Sequence, residues 1–185
     1  MITRKNYTKH LDEIYKKSDD ENMEKTKTIV VGVGNKILGD DGVGIHVVNQ
    51  LRKQVKNLDV TLEEAATGGL NLLDIIVGYD KAIIVDAVKS DNEEHGVVKR
   101  FSLDNFNTMH SCNPHDVSLI EAIDMAKKIG ETRIPREIVV IGIMMRNIPS
   151  EFSERLSDEI AMTVPKAVEM TLNEIKKDNM RKISS

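Results

Sequence analysis

The sequence predicts a single three-layer α/β domain, with helices on both faces of a twisted, mostly parallel sheet of about five strands and one antiparallel edge strand. Two observations support this fold class. Apolar runs rich in Val and Ile alternate with segments whose apolar residues recur at helical spacing, which is typical of β-α units. The 185 residues are also enough to bury one substantial core, and no linker divides the chain.

The first predicted strand opens the stretch TIVVGVGNKILGDDGVG, Thr28 to Gly44, whose β-branched run suits a strand covered on both faces. Glycines then permit a tight turn that carries the adjacent aspartates Asp40 and Asp41. A helical pattern begins directly afterwards, so either aspartate is placed to cap that helix.

The glycine spacing of this stretch matches neither of two common phosphate-binding loops. It departs from the dinucleotide fingerprint G-x-G-x-x-G, and two aspartates stand where a P-loop has Lys followed by Ser or Thr. The turn therefore favours a cation over an anion as its ligand.

The next elements continue the alternation. A second strand is predicted at Asn57–Glu64, followed by a turn at Thr67–Gly69 and a helix with a broad apolar face. Lys81–Asp86 is predicted to be a buried strand that ends in an acid. Val97–Phe101 is expected to return antiparallel at an edge, because the connection before it is too short for a crossover helix.

Helices and one more strand complete the predicted domain. Asp116 is placed to cap a helix that ends near Gly130, and Glu137–Met145 is a further continuous apolar strand. Ser157 is placed to cap a final helical pattern, which Pro165 is expected to kink or divide.

These elements place the domain at residues 27–178. Residues 1–26 are charged and polar and lack the apolar segment of a signal peptide, so they are expected to be a solvated extension, with Met23 as an alternative start. Residues 179–185 are expected to be a frayed tail.

Composition and charge argue against several classes of function. A net charge of −4, with three Phe, three Tyr and no Trp, argues against binding of nucleic acid. No apolar run approaches the ~20 residues needed to cross a bilayer, so no membrane partner is expected. A single Cys cannot form an internal disulfide, which agrees with a cytoplasmic location, and we expect a monomer.

Three polar side chains are predicted to meet at one edge of the sheet. Asp41 follows the first strand, Asp86 closes the third, and His115 precedes a helix. Ligands of open parallel sheets bind beyond the carboxyl ends of the strands, and two carboxylates with one imidazole suit a first-row divalent metal. Each residue also has a structural alternative: Asp41 as a helix cap, Asp86 as a paired buried acid, and His115 as an incidental side chain.

Other residues near this edge are weaker candidates. Asn35, Thr67 and Gly68 lie at strand ends, where they either position a substrate backbone or hold turns. Glu64 is a lesser candidate for the same edge. Cys112 and His115 have C-x-x-H spacing, which leaves open a metal site or a thiol nucleophile with a nearby base.

Three separated motifs resemble the hydrogenase maturation protease family, the endopeptidases that mature nickel-iron hydrogenases. They are GVGNKILGDDGVG, IIVDAV and PHDVSL, and they occur in the family's order within a resemblance that spans about residues 28 to 175. Residues 1–26 depart from the family pattern, whose members begin close to the first strand, and the family signature has no cysteine equivalent to Cys112.

The resemblance implies a specific activity. Such enzymes remove a short C-terminal peptide from the large-subunit precursor of a nickel-iron hydrogenase, and nickel carried by that precursor serves as the recognition mark. The resemblance further implies that Asp41, Asp86 and His115 are both the catalytic and the metal-contacting residues. Two alternatives stay open: a non-catalytic nickel-binding maturation chaperone and a small nucleotide-binding α/β enzyme.

Overall fold

A computed structural model describes residues 26–56, 58–66, 68–90, 95–103, 118–147 and 152–181, with side chains as far as residue 177. The first 25 residues of the predicted extension and residues 182–185 of the predicted tail lie outside the described residues. So do Thr67, Cys112 and His115.

Five strands form one sheet in the order β2-β1-β3-β5-β4. They are β1 (Thr28–Val33), β2 (Val60–Ala65), β3 (Lys81–Lys89), β4 (Val98–Ser102) and β5 (Glu137–Met145). The β1-β2, β1-β3 and β3-β5 pairs are parallel, whereas β4 pairs antiparallel with β5 at an edge of the sheet. The predicted fold class is therefore confirmed.

Helices cover both faces of the sheet. They are α1 (Val43–Leu51), α2 (Gly69–Ile76), α3 (Leu119–Lys128), α4 (Asp158–Ala161) and α5 (Val164–Arg181), and a 3₁₀ turn (Gly39–Gly42) precedes α1. Side chains alternate across a strand, so β3 contributes to two cores. Ile83 and Val85 pack with α1 and α5, whereas Ala82 and Ile84 pack with α2 and α3.

Several element boundaries differ from the predicted ones. The strand β2 begins at Val60 because the N–H of Leu58 still closes a turn onto the carbonyl of Val55, at 2.9 Å. The strand β3 continues past Asp86 to Lys89, since β5 pairs with it along its whole length. Pro165 divides the last helical pattern and lies in the first turn of α5, where its missing N–H is not needed.

Two predicted helix caps were wrong, and a third was confirmed. Ser118 caps α3 in place of Asp116, in a reciprocal capping box with Glu121. Neither aspartate of the GDDG turn caps α1, because the 3₁₀ turn that holds them intervenes and Gly42 takes the N-cap position without a side-chain hydrogen bond. Ser157 caps α4 as expected, accepting a hydrogen bond from the N–H of Ile160.

None of the helices in the described part of the chain is both long enough and apolar enough to cross a membrane.

Candidate functional site

Glycine brings the start of α1 into direct contact with the ends of β1 and β3. A Cβ atom on Gly44 would overlap the carbonyl oxygens of Val33 and Val85. Gly34 has a φ of 139°, and a Cβ there would overlap the carbonyl oxygen of Asp41. The turn that follows β1 is therefore folded tightly against the carboxyl edge of the sheet.

Asp41 lies in this turn with its carboxylate tied to the end of β1. Its Oδ2 accepts a hydrogen bond from the N–H of Asn35 at 2.7 Å. Burial raises the pKa of Asp41, while the hydrogen bond from Asn35 opposes that change. The side-chain oxygen of Asn35 also accepts from the N–H of Ile37 at 3.2 Å, so Asn35 holds the turn.

Asp86 lies in β3, one residue beyond the last residue that pairs with β1, since Gly32 pairs with Val85. Burial and the nearby charge of Asp41 raise its pKa from 3.8 to about 7, against a smaller opposing hydrogen bond from the N–H of Ala87. The charges of Asp41 and Asp86 therefore interact at the carboxyl ends of β1 and β3, and the predicted role of both residues in one site stays a prediction.

The alternation of side chains along β3 gives the direction of the Asp86 carboxylate. Ala82, Ile84 and Asp86 are alternate residues of β3, so the Asp86 side chain leaves the sheet on the face covered by α2 and α3. The helix α3 leads into the parallel strand β5, which places its first residue, Leu119, at the carboxyl edge. His115 is four residues earlier in the sequence and lies outside the described residues, so its place in the site stays a prediction.

The two aspartates are a partial donor set. Within the described ranges, no group of three or more His, Cys, Asp or Glu side chains is arranged to hold a metal ion. Two oxygen donors with raised pKa values would leave most coordination positions of a divalent ion to other groups.

Gly68 and Glu64, the other predicted residues that the structure describes, have different surroundings. Gly68 is the N-cap of α2, and a Cβ there would meet no atom of the described residues within 4 Å. Glu64 pairs with Lys36 and with Arg52, whose Nη2 lies 3.6 Å from the Glu64 Oε1. The hydrogen bond from Lys36 is the main reason that the pKa of Glu64 is lowered, which identifies Glu64 as an ion-pair partner in the scaffold.

Sequence reasoning missed the role of Asp40. This residue is only 6% exposed, and its carboxylate accepts hydrogen bonds from the N–H of Ser157 at 2.6 Å and from the hydroxyl of Ser157 at 2.9 Å. Its partner is 117 residues away in the sequence, so no local pattern identifies the pair.

Comparison with known proteins agrees with the fold and with the family resemblance. A family profile described as hydrogenase maturation protease matches residues 45–174, a segment that contains Asp86 and follows Asp41. A putative hydrogenase maturation protease of Methanocaldococcus jannaschii is 34% identical over 160 residues, which cover 84% of this chain and 100% of that protein. The hydrogenase 2 maturation protease of Escherichia coli is 22% identical over 160 residues, covering 85% and 95% of the two chains.

A solved structure shows the same fold. The hydrogenase maturating endopeptidase HybD from E. coli superposes with a TM-score of 0.66 at 22% identity, over 82% of this chain and 93% of that chain. The family profile covers more than half of the chain, and the M. jannaschii relative is matched over its whole length. On this basis, the chain belongs to the hydrogenase maturation protease family.

Proposed function

We propose that this protein is an endopeptidase that removes a C-terminal peptide from the large-subunit precursor of a nickel-iron hydrogenase. Nickel carried by the precursor is its recognition mark. Membership of the hydrogenase maturation protease family supports a peptidase that acts in hydrogenase maturation. The observation that carries the rest is the convergence of Asp41 and Asp86, whose charges interact at the carboxyl edge of the sheet.

Two neighbouring carboxylates in a partly buried setting favour a cationic ligand. Burial raises both pKa values, and the charge of Asp41 raises that of Asp86 further, so a divalent ion bound between the two carboxylates would stabilise their charged forms. Asp41 and Asp86, together with His115, would contact the precursor's nickel, which when bound polarises a carbonyl group or activates a water molecule. The site would be complete only when the correct precursor docks.

Asp86 is suited to transfer a proton during peptide hydrolysis. Hydrolysis adds the oxygen of water to the carbonyl carbon and a proton to the leaving amide nitrogen. The Asp86 carboxylate lies in the site where hydrolysis would occur, so it can accept the proton from water and return it to that nitrogen. Asn35 orients the Asp41 carboxylate beside it through the 2.7 Å hydrogen bond to Oδ2.

The test incubates the protein with nickel-loaded and nickel-free large-subunit precursor and follows the intact mass of the precursor. We expect loss of the C-terminal peptide from the loaded precursor only. Asp86→Ala should slow this cleavage by at least about 100-fold, whereas the matched control Asp124→Asn, at an exposed position of α3, should retain the wild-type rate.

Three results would count against the proposal. Cleavage of the nickel-free precursor would contradict the recognition mechanism. Full activity of Asp86→Ala would remove that residue from the site. Stable binding of the loaded precursor with no change in its mass would identify a non-catalytic maturation chaperone instead.

A further inference from the structure

The two adjacent aspartates of the 3₁₀ turn have different environments. Asp41 contacts the end of β1, whereas Asp40 is buried against the segment that precedes α4. The Asp40 Oδ1 accepts from the N–H of Ser157 at 2.6 Å, and its Oδ2 accepts from the Ser157 hydroxyl at 2.9 Å. Ser157 is itself anchored as the N-cap of α4.

Backbone contacts reinforce this connection on the other side of Asp40. The N–H of Ser153 donates to the carbonyl of Ile37 at 3.0 Å, and the N–H of Gly39 donates to the carbonyl of Ser153 at 2.6 Å. Leu38 and Ser153 form an isolated parallel bridge. The turn is thus joined by backbone and side-chain hydrogen bonds to residues 153–157, a segment we call the latch.

The turn itself has little intrinsic rigidity. It is a single 3₁₀ turn of four residues, bounded by Gly39 and Gly42, and a turn of this length is not stable without tertiary contacts. Asp41 is bonded directly to Asp40 in the chain, so the latch limits where the Asp41 carboxylate can lie relative to Asp86.

We propose that Asp40 is a positioning residue. Through its two hydrogen bonds to Ser157, it holds the 3₁₀ turn in the orientation that presents Asp41 to Asp86 and to the metal of the precursor. This inference rests on the proposed function of the Asp41–Asp86 pair. It assigns the first aspartate of GDDG to the geometry of the site and the second to contact with the ligand.

The first experiment requires no substrate. The N–H of Asn35 donates to Asp41 Oδ2, so its amide hydrogen exchange, measured by NMR, reports whether Asp41 stays in place. Asp40→Ala and Ser157→Ala should accelerate exchange at Asn35 by about tenfold, the factor that corresponds to one lost hydrogen bond. Ser157→Thr keeps the hydroxyl donor and should restore protection.

A matched control separates positioning from a general loss of stability. The buried hydroxyl of Thr171 donates to the carbonyl of Ala167 at 2.7 Å within α5. Thr171→Val removes one buried hydrogen bond that lies within α5 and should leave exchange at Asn35 unchanged. If Asp40→Ala does not fold, Ser157→Ala is the informative variant, because it keeps the backbone N–H that donates to Asp40 and removes only the hydroxyl, which donates to Asp40 and caps α4.

The second experiment measures cleavage of nickel-loaded precursor. Misplacement of a ligand-contacting carboxylate should lower kcat by about 10- to 100-fold in Asp40→Ala with a smaller change in KM, and Thr171→Val should retain the wild-type kcat. If Asp40→Ala and Ser157→Ala both fold and leave the exchange rate of the Asn35 amide unchanged, the positioning role is overturned. If exchange rises as expected but the wild-type protein cleaves no precursor, the positioning role stands and the proposed function fails.

Discussion

At the scale of single residues, Asp86 shows how a candidate catalytic acid lowers the stability of the fold that holds it. Burial and the Asp41 charge raise its pKa to about 7, so the native state holds a proton that the unfolded chain has already released. Between pH 4 and pH 7, approximately, stability therefore falls as the pH rises. Such a cost is typical of groups retained for function.

Asp86→Asn should remove this cost. Above pH 7 the variant should be more stable than the wild type by a few kcal/mol, because each pH unit between the folded and the unfolded pKa corresponds to about 1.36 kcal/mol, and the difference should vanish near pH 4. Urea denaturation at a series of pH values measures it. The exposed control Asp124→Asn should show no such gain, and parallel pH profiles for wild type and Asp86→Asn would contradict the assignment.

Asp41→Asn tests the interaction between the two acids. Because the Asp41 charge is the second cause of the raised Asp86 pKa after burial, its removal should bring that pKa down from about 7 without returning it to 3.8. Carbon-13 NMR of the aspartate carboxyl groups follows this change. An Asp86 pKa unaffected by the variant would show that the two side chains do not lie together.

Gly44 and Gly68 form a matched pair for testing the close packing of α1. A Cβ on Gly44 would overlap the carbonyl oxygens of Val33 and Val85, so Gly44→Ala should cost about 3 kcal/mol or more, or prevent folding. At Gly68 a Cβ would contact none of the described residues, and its φ of −107° suits any residue, so Gly68→Ala should be tolerated. Thermal denaturation compares the two variants, and equal melting temperatures would contradict the described packing.

At the scale of single elements, α3 shows how a helix is ended at both termini by local chemistry. Ser118 and Glu121 form its capping box. At the other end, Gly130 has a φ of 89°, the N–H of Gly130 donates to the carbonyl of Lys127, and the N–H of Glu131 donates to that of Ala126. This is a Schellman motif, and it explains why the helix stops where the position of Gly130 predicted.

Removing the cap should weaken α3 measurably. Ser118→Ala should lower the free energy of unfolding by about 1 kcal/mol, because the N–H of Glu121 loses its acceptor. Urea denaturation with an unchanged m-value gives the effect. Ser118→Asp keeps a capping oxygen and should retain most of the stability, whereas equal losses in both variants would argue against capping.

At the scale of the whole molecule, the candidate site lies at the carboxyl ends of the parallel strands, and a cluster of charged residues lies near the amino end of β3. The Nζ of Lys81, whose side chain is 2% exposed, donates to the carbonyl of Glu174 at 3.2 Å and lies 3.7 Å from its Oε2. The Nε of Arg100 donates to Glu174 Oε1 at 2.7 Å, and Lys177 contacts the same oxygen. The cluster joins α5 to β3 and β4.

The pKa of Glu174 gives this cluster a defined pH dependence. Burial alone would raise that pKa, but hydrogen bonds from Arg100 and Lys177 lower it overall. The stability that Glu174 contributes is therefore present above the pKa of the unfolded chain and is lost as the pH falls through the lower folded value.

Glu174→Gln should cost about 2 kcal/mol at pH 7, because it replaces the carboxylate that accepts from Arg100 and Lys177, whereas the buried Lys81 keeps its ion pair with Glu137. The loss should shrink in acid, where the wild-type carboxylate is protonated. The control Glu169→Gln removes an exposed pair with Lys166 and should change stability little. Equal effects of the two variants would show that the cluster does not hold α5 in place.

The sequence alone determined the order and type of the elements, the antiparallel edge strand, and the positions of Asp41 beyond β1 and of Asp86 in β3, although it ended that strand at Asp86. Apolar periodicity and glycine are local signals, and parallel strands bring their carboxyl ends to one edge whatever loops connect them. The same reliance on local signals caused the error at the GDDG turn, where Asp40 and Asp41 were predicted to cap the helix that follows them in the sequence.

Only the tertiary structure decided the partners of the remaining polar groups. The Asp40–Ser157 and Lys81–Glu174 contacts join residues that are 117 and 93 positions apart. A carboxylate or an ammonium group has many possible partners in a sequence. Which one it meets depends on where the packed backbone places each group, and on the high cost of leaving such a group buried and unpaired.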